Sequence, residues 1–293
     1  LLEMCFADVN LGAKIDFSVF EEKDIIKYLF AENIGIVFQA KEDALIEKKL
    51  NANGVSFYKL GNATTEATLD FGPCQLDIVK YRDIWFKTSF LLDQKQSKNG
   101  MAQERFNNYK NQPLQFTFPA HFTGKKPVVD NSKPRPKAAI IREKGSNSER
   151  EMANAMYLAG FDVKDINMTD LISGRENLED IQFIGAVGGF SNSDVLGSAK
   201  GWAGAFLYNE KAKTALDNFF KREDTLSVGI CNGCQLFVEL ELIHSEHEEM
   251  PKMLHNDSNK HESIFTSVTV QENKSVMLSS LAGSTLGVWV SHG

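Results

Sequence analysis

The sequence predicts an α/β protein whose C-terminal half builds a mostly parallel sheet with helices on both faces. Three observations carry this. From Lys137 onward, short apolar strand-like runs alternate with segments of helical spacing, the order that yields parallel strands with helical crossovers. Residues 225–235, Thr-Leu-Ser-Val-Gly-Ile-Cys-Asn-Gly-Cys-Gln, read as a buried strand turning sharply into a helix. With 42% apolar and 24% charged residues over 293 positions, the chain can form two domains with proper cores.

Residues 1–80 alternate more loosely. Phe20, Ile25, Ile26, Leu29 and Phe30 predict an amphipathic helix over 20–33, followed by a strand at Ile34–Ala40. A helix over 42–53 stops at Asn53-Gly54, and Val55–Leu60 reads as the next strand. Residues 76–97 form one longer helix with Leu76, Ile78, Val79, Ile84, Trp85, Phe90 and Leu91 on its apolar side. Five prolines then fall between Pro113 and Pro136 without periodicity, so residues 81–136 are expected to be a helix followed by a linker.

The remaining domain spans 137–293. Ala138–Arg142 is a strand, and the overlapping Ser146-x-x-Glu149 and Ser148-x-x-Glu151 both fit a capping box for the helix that ends at Gly160. A strand at 161–166, a short helix around Leu171, a strand at 183–189 and a helix-rich stretch to about Arg222 lead to the strand before Cys231. The β-rich run Leu286–Ser291 delivers His292 at its tip.

Gly229 and Gly233 flank Cys231 in a G-x-C-x-G arrangement, the cysteine form of a nucleophile elbow. Glycines suit it because the turn is too cramped for Cβ atoms. The helix beginning near Asn232 directs its unpaired N–H groups and positive end at the thiol, which favours thiolate. Two other readings stand beside this one. Cys231 can be a buried structural cysteine, or Cys231-Asn-Gly-Cys234 can be a C-x-x-C redox or metal pair, for which Cys5 and Cys74 offer no second pair in sequence.

His292 is the preferred imidazole partner, although a histidine at a strand end can also have no task. His244, His247, His255 and His261 fall in a polar segment and His121 in the proline-rich one. Gly188 and Gly189 end another strand, where they form either an oxyanion-binding turn or a plain tight turn; Gly189 and Asn232 could supply backbone N–H groups, and Gln235 a substrate contact or a cap. The net charge of −7 argues against nucleic acid or an anionic membrane as partner. No apolar run reaches spanning length, no signal peptide opens the chain, and no metal site is expected; a reducing cytoplasm is the simplest compartment. The chain begins without Met and stops at Val-Ser-His-Gly, so it is expected to be a piece of a longer protein.

Pro136–Met152 (Pro-Lys-Ala-Ala-Ile-Ile-Arg-Glu-Lys-Gly-Ser-Asn-Ser-Glu-Arg-Glu-Met), Ala159-Gly-Phe, Met168-Thr-Asp-Leu, Gly188–Gly197 (Gly-Gly-Phe-Ser-Asn-Ser-Asp-Val-Leu-Gly), Gly201-Trp-Ala and Gly229–Gln235 together resemble the phosphoribosylformylglycinamidine synthases. The likeness is to the C-terminal glutaminase of their large single-chain form, a class I glutamine amidotransferase of flavodoxin-like fold. Leu1–Ala7 and Leu29–Gly35 resemble the end of the synthetase-like half, whose fold is that of aminoimidazole ribonucleotide synthetase.

The resemblance implies an ATP-dependent carbon–nitrogen ligase of purine biosynthesis that takes its nitrogen from glutamine. Cys231 would form a γ-glutamyl thioester, and His292 would transfer protons. Gly188, Gly189, Asn232 and Gln235 would bind glutamine and its oxyanion. A third triad member, a glutamate, would fall just past Gly293, so the chain alone should be weakly active or inactive. ATP and Mg2+ would serve the full-length enzyme, with formylglycinamide ribonucleotide as substrate and the upstream half as partner; no cofactor is expected in this piece. Asn192-Ser193 departs from the family's Tyr-Gly. A stand-alone cysteine hydrolase of the same fold and a non-catalytic interaction module are the alternatives.

Overall fold

The computed structural model describes residues 1–8, 10–111, 114–126, 128–243 and 247–293; His244, Pro113 and Pro127 lie outside these. The chain divides into two compact units, Leu1–Leu114 with Asp257–Lys260, and Gln115–Asn256 with His261–Gly293.

In the first unit, strands β1 (Gly12–Ile15), β2 (Gly61–Thr64), β3 (Thr68–Asp70) and β4 (Gln75–Asp77) form one sheet in the order β2-β1-β3-β4. Its core is Phe6, Ile15, Leu69 and Ile78. The predicted helix over 20–33 shrinks to α1 (Ile25–Leu29), and Ile34–Ala40 forms no strand; Ile34 and Ile36 stand exposed without a neighbouring strand to pair with. Val55–Leu60 likewise stays outside the ladder, which begins at Gly61 opposite Ile15. Helix α2 (Asp43–Ala52) forms as predicted.

Helix α3 (Ile78–Gln96) starts where the Asp77 carboxylate accepts the Lys80 N–H, 2.9 Å. The sequence did not announce α4 (Met101–Asn108). Ring stacking of Phe90 on Phe106 and of Phe86 on Tyr109 holds it to α3. Asp93, 8% exposed, is surrounded by Ser97, Arg105 and Lys260. Burial works against its ionised form, but the Lys260 and Ser97 hydrogen bonds and the charge of Arg105 prevail, so its carboxyl lies below the ordinary range.

The second unit contains the predicted parallel sheet, made of β5 (Lys137–Arg142), β7 (Asp162–Asn167), β8 (Phe183–Ala186) and β10 (Leu226–Gly229) in the order β10-β8-β5-β7. All three pairings are parallel. In the order the chain visits them the strands lie 2-1-3-4, the flavodoxin-like arrangement, which puts ligands at the carboxyl ends of the strands.

Both faces are covered. Ala138, Ile140 and Phe183 pack with Met156 of α5 (Glu149–Ala159). Ala139, Ile141, Ile184 and Ala186 pack against α6 (Met168–Ser173), α7 (Lys200–Leu207), α8 (Glu210–Phe220) and α9 (Asn232–Glu239). This double burial explains why β5 and β8 are apolar without alternation.

The capping boxes expected before α5 do not form. Ser148 at the N-cap has φ 73° and makes no side-chain cap, while Ser146 belongs to β6 (Ser146–Asn147), which pairs antiparallel with β9 (Gly188–Gly189). Helix α6 carries a capping box instead, between Asn167 and Asp170. Beyond α9, β11 (Glu262–Thr269), which the sequence did not announce, and β12 (Thr285–His292) pair with each other as an antiparallel ribbon outside the parallel sheet.

Candidate active site

Strand β10 aims its last residues at the carboxyl edge of the sheet, where Ile230 N–H still bonds Ala186 O at 3.0 Å. The chain then turns at Cys231 with φ 56° and ψ −115°, a conformation that L-residues adopt only under constraint, at about 1–3 kcal/mol. The Cys231 carbonyl accepts the Gln235 N–H at 3.1 Å and so starts α9.

The flanking glycines make this turn possible. A Cβ on Gly233 would stand 2.1 Å from Ala186 O, and one on Gly229 would stand 2.6 Å from Gly233 O. Both obstacles are backbone and cannot step aside. Cys231 therefore sits half-buried at the head of a helix, as the sequence reading anticipates.

The glycine-bearing end of the neighbouring strand meets the same turn. A Cβ on Gly188 would lie 3.1 Å from the Cys231 Cβ and 3.6 Å from its Sγ, so bare backbone faces the thiol there. Gly189 has φ 109° and is pressed against Gly145 O and Asn147 N by the β6–β9 pairing. The next residues are tied down too. Phe190 N–H donates to Gly145 O at 3.0 Å, and Asn192 N–H to Lys144 O at 2.7 Å. Asn192, Ser193 and Asp194 then all take left-handed φ of 52°, 59° and 48°. Ser193 is where the resemblance calls for glycine, the residue that adopts this backbone without penalty.

Asn232, 1% exposed, bridges the two segments. Its Oδ1 accepts the Ser191 N–H at 3.1 Å and its Nδ2 donates to Gln235 Oε1 at 3.0 Å. Cys234, one turn into α9, is a poor rival nucleophile, because burial pushes its thiol up and a charge on Cys231 pushes it further. Among the described residues no group of His, Cys, Asp and Glu is arranged to hold a metal ion.

Cys231, Gly188, Gly189, Asn232 and Gln235 are thus gathered at the carboxyl ends of two neighbouring strands. His292 is not hydrogen-bonded to them. It ends β12 opposite Glu262, with its carbonyl accepting from Asn256 Nδ2 at 2.8 Å. His247, His255, His261 and His121 are exposed. An apolar hollow lined by Phe116, Phe118, Phe122, Phe265 and Leu286 lies against the ribbon and does not include the thiol. Sequence reading missed the Asn232 side chain and the 144–147 segment as parts of the site. No periodicity marks a two-residue strand such as β6, and a buried carboxamide next to a nucleophile looks like any asparagine at a helix start.

The description CobB/CobQ-like glutamine amidotransferase domain matches residues 135–293. Across its whole length the chain is 37% identical to a probable phosphoribosylformylglycinamidine synthase, chloroplastic/mitochondrial, of Arabidopsis thaliana, and 36% identical to phosphoribosylformylglycinamidine synthase of Homo sapiens. It spans 22% and 24% of the length of those two relatives. Among solved structures it is similar to PurLQS from Thermotoga maritima, at 24% identity and a TM-score of 0.44, over 55% of this chain and 68% of that one.

Proposed function

Because the chain belongs to the CobB/CobQ-like glutamine amidotransferase family through residues 135–293, we propose that it releases ammonia from glutamine at Cys231, as the glutaminase part of a phosphoribosylformylglycinamidine synthase. The observation that carries the reading is the turn itself: a half-buried thiol at φ 56°, at the head of a helix and against the bare backbone of Gly188.

The thiolate attacks the side-chain carbonyl of glutamine, forming a C–S bond and pushing the carbonyl pair onto oxygen. The N–H groups of Gly189 and Asn232 are the proposed donors to that oxyanion. The C–N bond breaks as ammonia leaves with a proton, and water then cleaves the γ-glutamyl thioester to glutamate. His292 is the proposed proton carrier, supported by its place at a strand tip and by the family motif. It must approach Cys231 when substrate binds, because no hydrogen bond joins the two here.

In the complete enzyme the ammonia would replace the amide oxygen of formylglycinamide ribonucleotide, with ATP and Mg2+ supplied by the part of the relatives that this chain does not cover. A reducing compartment such as the cytoplasm is the proposed location, on the few, irregularly spaced cysteines of the sequence.

The test is turnover of glutamine to glutamate and ammonia by the chain and by Cys231→Ala. Loss with Cys231→Ala supports the proposal. Retained glutaminase activity in that variant, or hydrolysis of peptides or glyoxal adducts in preference to glutamine, favours the stand-alone hydrolase instead.

A further inference from the structure

We infer that the Asn232 carboxamide is a positioning residue that sets the spacing between the glycine loop and the nucleophile's turn. This deepens the proposed glutaminase reading and rests on it for its chemistry.

Burying an amide is costly unless both ends are used, and Asn232, 1% exposed, uses both. The two proposed oxyanion donors, Gly189 and Asn232, come from segments far apart in sequence, so something must fix their separation. On one side the loop is held by backbone bonds only, Phe190 to Gly145 and Asn192 to Lys144. On the other, the 3.1 Å bond from Ser191 N–H to Asn232 Oδ1 is the side-chain tie that joins loop to elbow.

The loop needs such a tie, because three consecutive non-glycine residues, Asn192, Ser193 and Asp194, have left-handed backbones that would relax if released. The second bond has its own consequence. Gln235 Oε1 accepts from Asn232 Nδ2, so the same carboxamide ties the loop to the first turn of α9 as well as to the elbow.

The experiment compares wild type with Asn232→Leu, which keeps the volume and removes both bonds, and Asn232→Asp, which keeps an acceptor for Ser191. Glutamine turnover, iodoacetamide alkylation of Cys231 and amide hydrogen exchange of residues 188–193 are measured on each. Expected for Asn232→Leu are a kcat lower by about 10²-fold, the order lost with an oxyanion donor, and a KM changed only a few-fold. Alkylation, which needs no oxyanion donor, should stay near wild type, and exchange at 188–193 should be faster. Asn232→Asp should fall between the two in exchange.

Unchanged exchange in Asn232→Leu overturns the inference, as does a kcat within a few-fold of wild type. Loss of alkylation together with activity also overturns it, since the elbow itself would then have collapsed. Turnover is read in the complete enzyme, which carries the residues beyond Gly293; if wild type does not turn over glutamine there, the functional reading fails, while the exchange comparison still decides whether the tie exists.

Discussion

At the scale of single residues the site is built from constraint. Cys231 holds a backbone that side-chain-bearing residues avoid, and Gly229 and Gly233 let it do so by leaving room for Gly233 O and Ala186 O. Ser193 is a second strained position, with φ 59° in a loop otherwise held on both sides. Ser193→Gly is therefore expected to stabilise the protein by about 1 kcal/mol, the usual cost of a left-handed non-glycine residue, read as a raised midpoint in chemical denaturation. Gly233→Ala should abolish any activity at Cys231, because the new methyl would meet the Ala186 carbonyl. An active, normally folded Gly233→Ala would show that the turn is looser than described. The turn was legible in the sequence because a glycine two residues to either side of a cysteine has few other uses. The Asn232 tie was not, since its partner Ser191 is recognisable only once the two strand ends are side by side.

At the scale of elements, burial decides what was readable. Strands β5 and β8 are covered on both faces, so their unbroken apolar runs announce them. Helix α8 buries Ala212, Ala215, Leu216 and Phe219 on one side, within the stretch that the sequence marked only as helix-rich. Phe219, 1% exposed and packed between Phe220 and the core, should cost about 3–5 kcal/mol when cut to alanine, measured by denaturant unfolding. Segments whose fate depends on a partner were misread. Ile34–Ala40 has strand composition but no strand beside it, while α4 is short and mostly polar and stands on stacked rings and on Asp93.

That carboxylate gives the α3–α4 pair an acid sensitivity with a definite sign. Its folded-state pKa is lowered, so the stabilisation is complete above the ordinary value of 3.8 and is lost as pH falls through the lower, folded value. Helical circular dichroism followed from pH 5 downward should show a loss that Asp93→Asn lacks. A variant that retains the same acid transition would assign the loss to other carboxylates.

At the scale of the whole molecule, the family is secure over residues 135–293, and the chain spans about a quarter of the curated relatives it matches. Its motifs were readable in order from Pro136 to His292 because the resemblance rests on many short matches. The position of the β11–β12 ribbon was not, because nothing local distinguishes a strand that joins the parallel sheet from one that pairs elsewhere. On the proposed reading, this chain with ATP, Mg2+ and formylglycinamide ribonucleotide should form no formylglycinamidine ribonucleotide by itself. Addition of the remaining part of the enzyme should restore formation with glutamine as nitrogen source, followed by chromatography of the nucleotides.

The most direct test of the account is the site at which a glutamine-mimicking electrophile, diazo-norleucine, attaches, read by peptide mass spectrometry with and without excess glutamine. The account predicts modification of Cys231 ahead of Cys234, Cys5 and Cys74, suppressed by glutamine and absent in Cys231→Ala. Attachment to Cys234 instead, or labelling of Cys231 that glutamine does not slow, would contradict it.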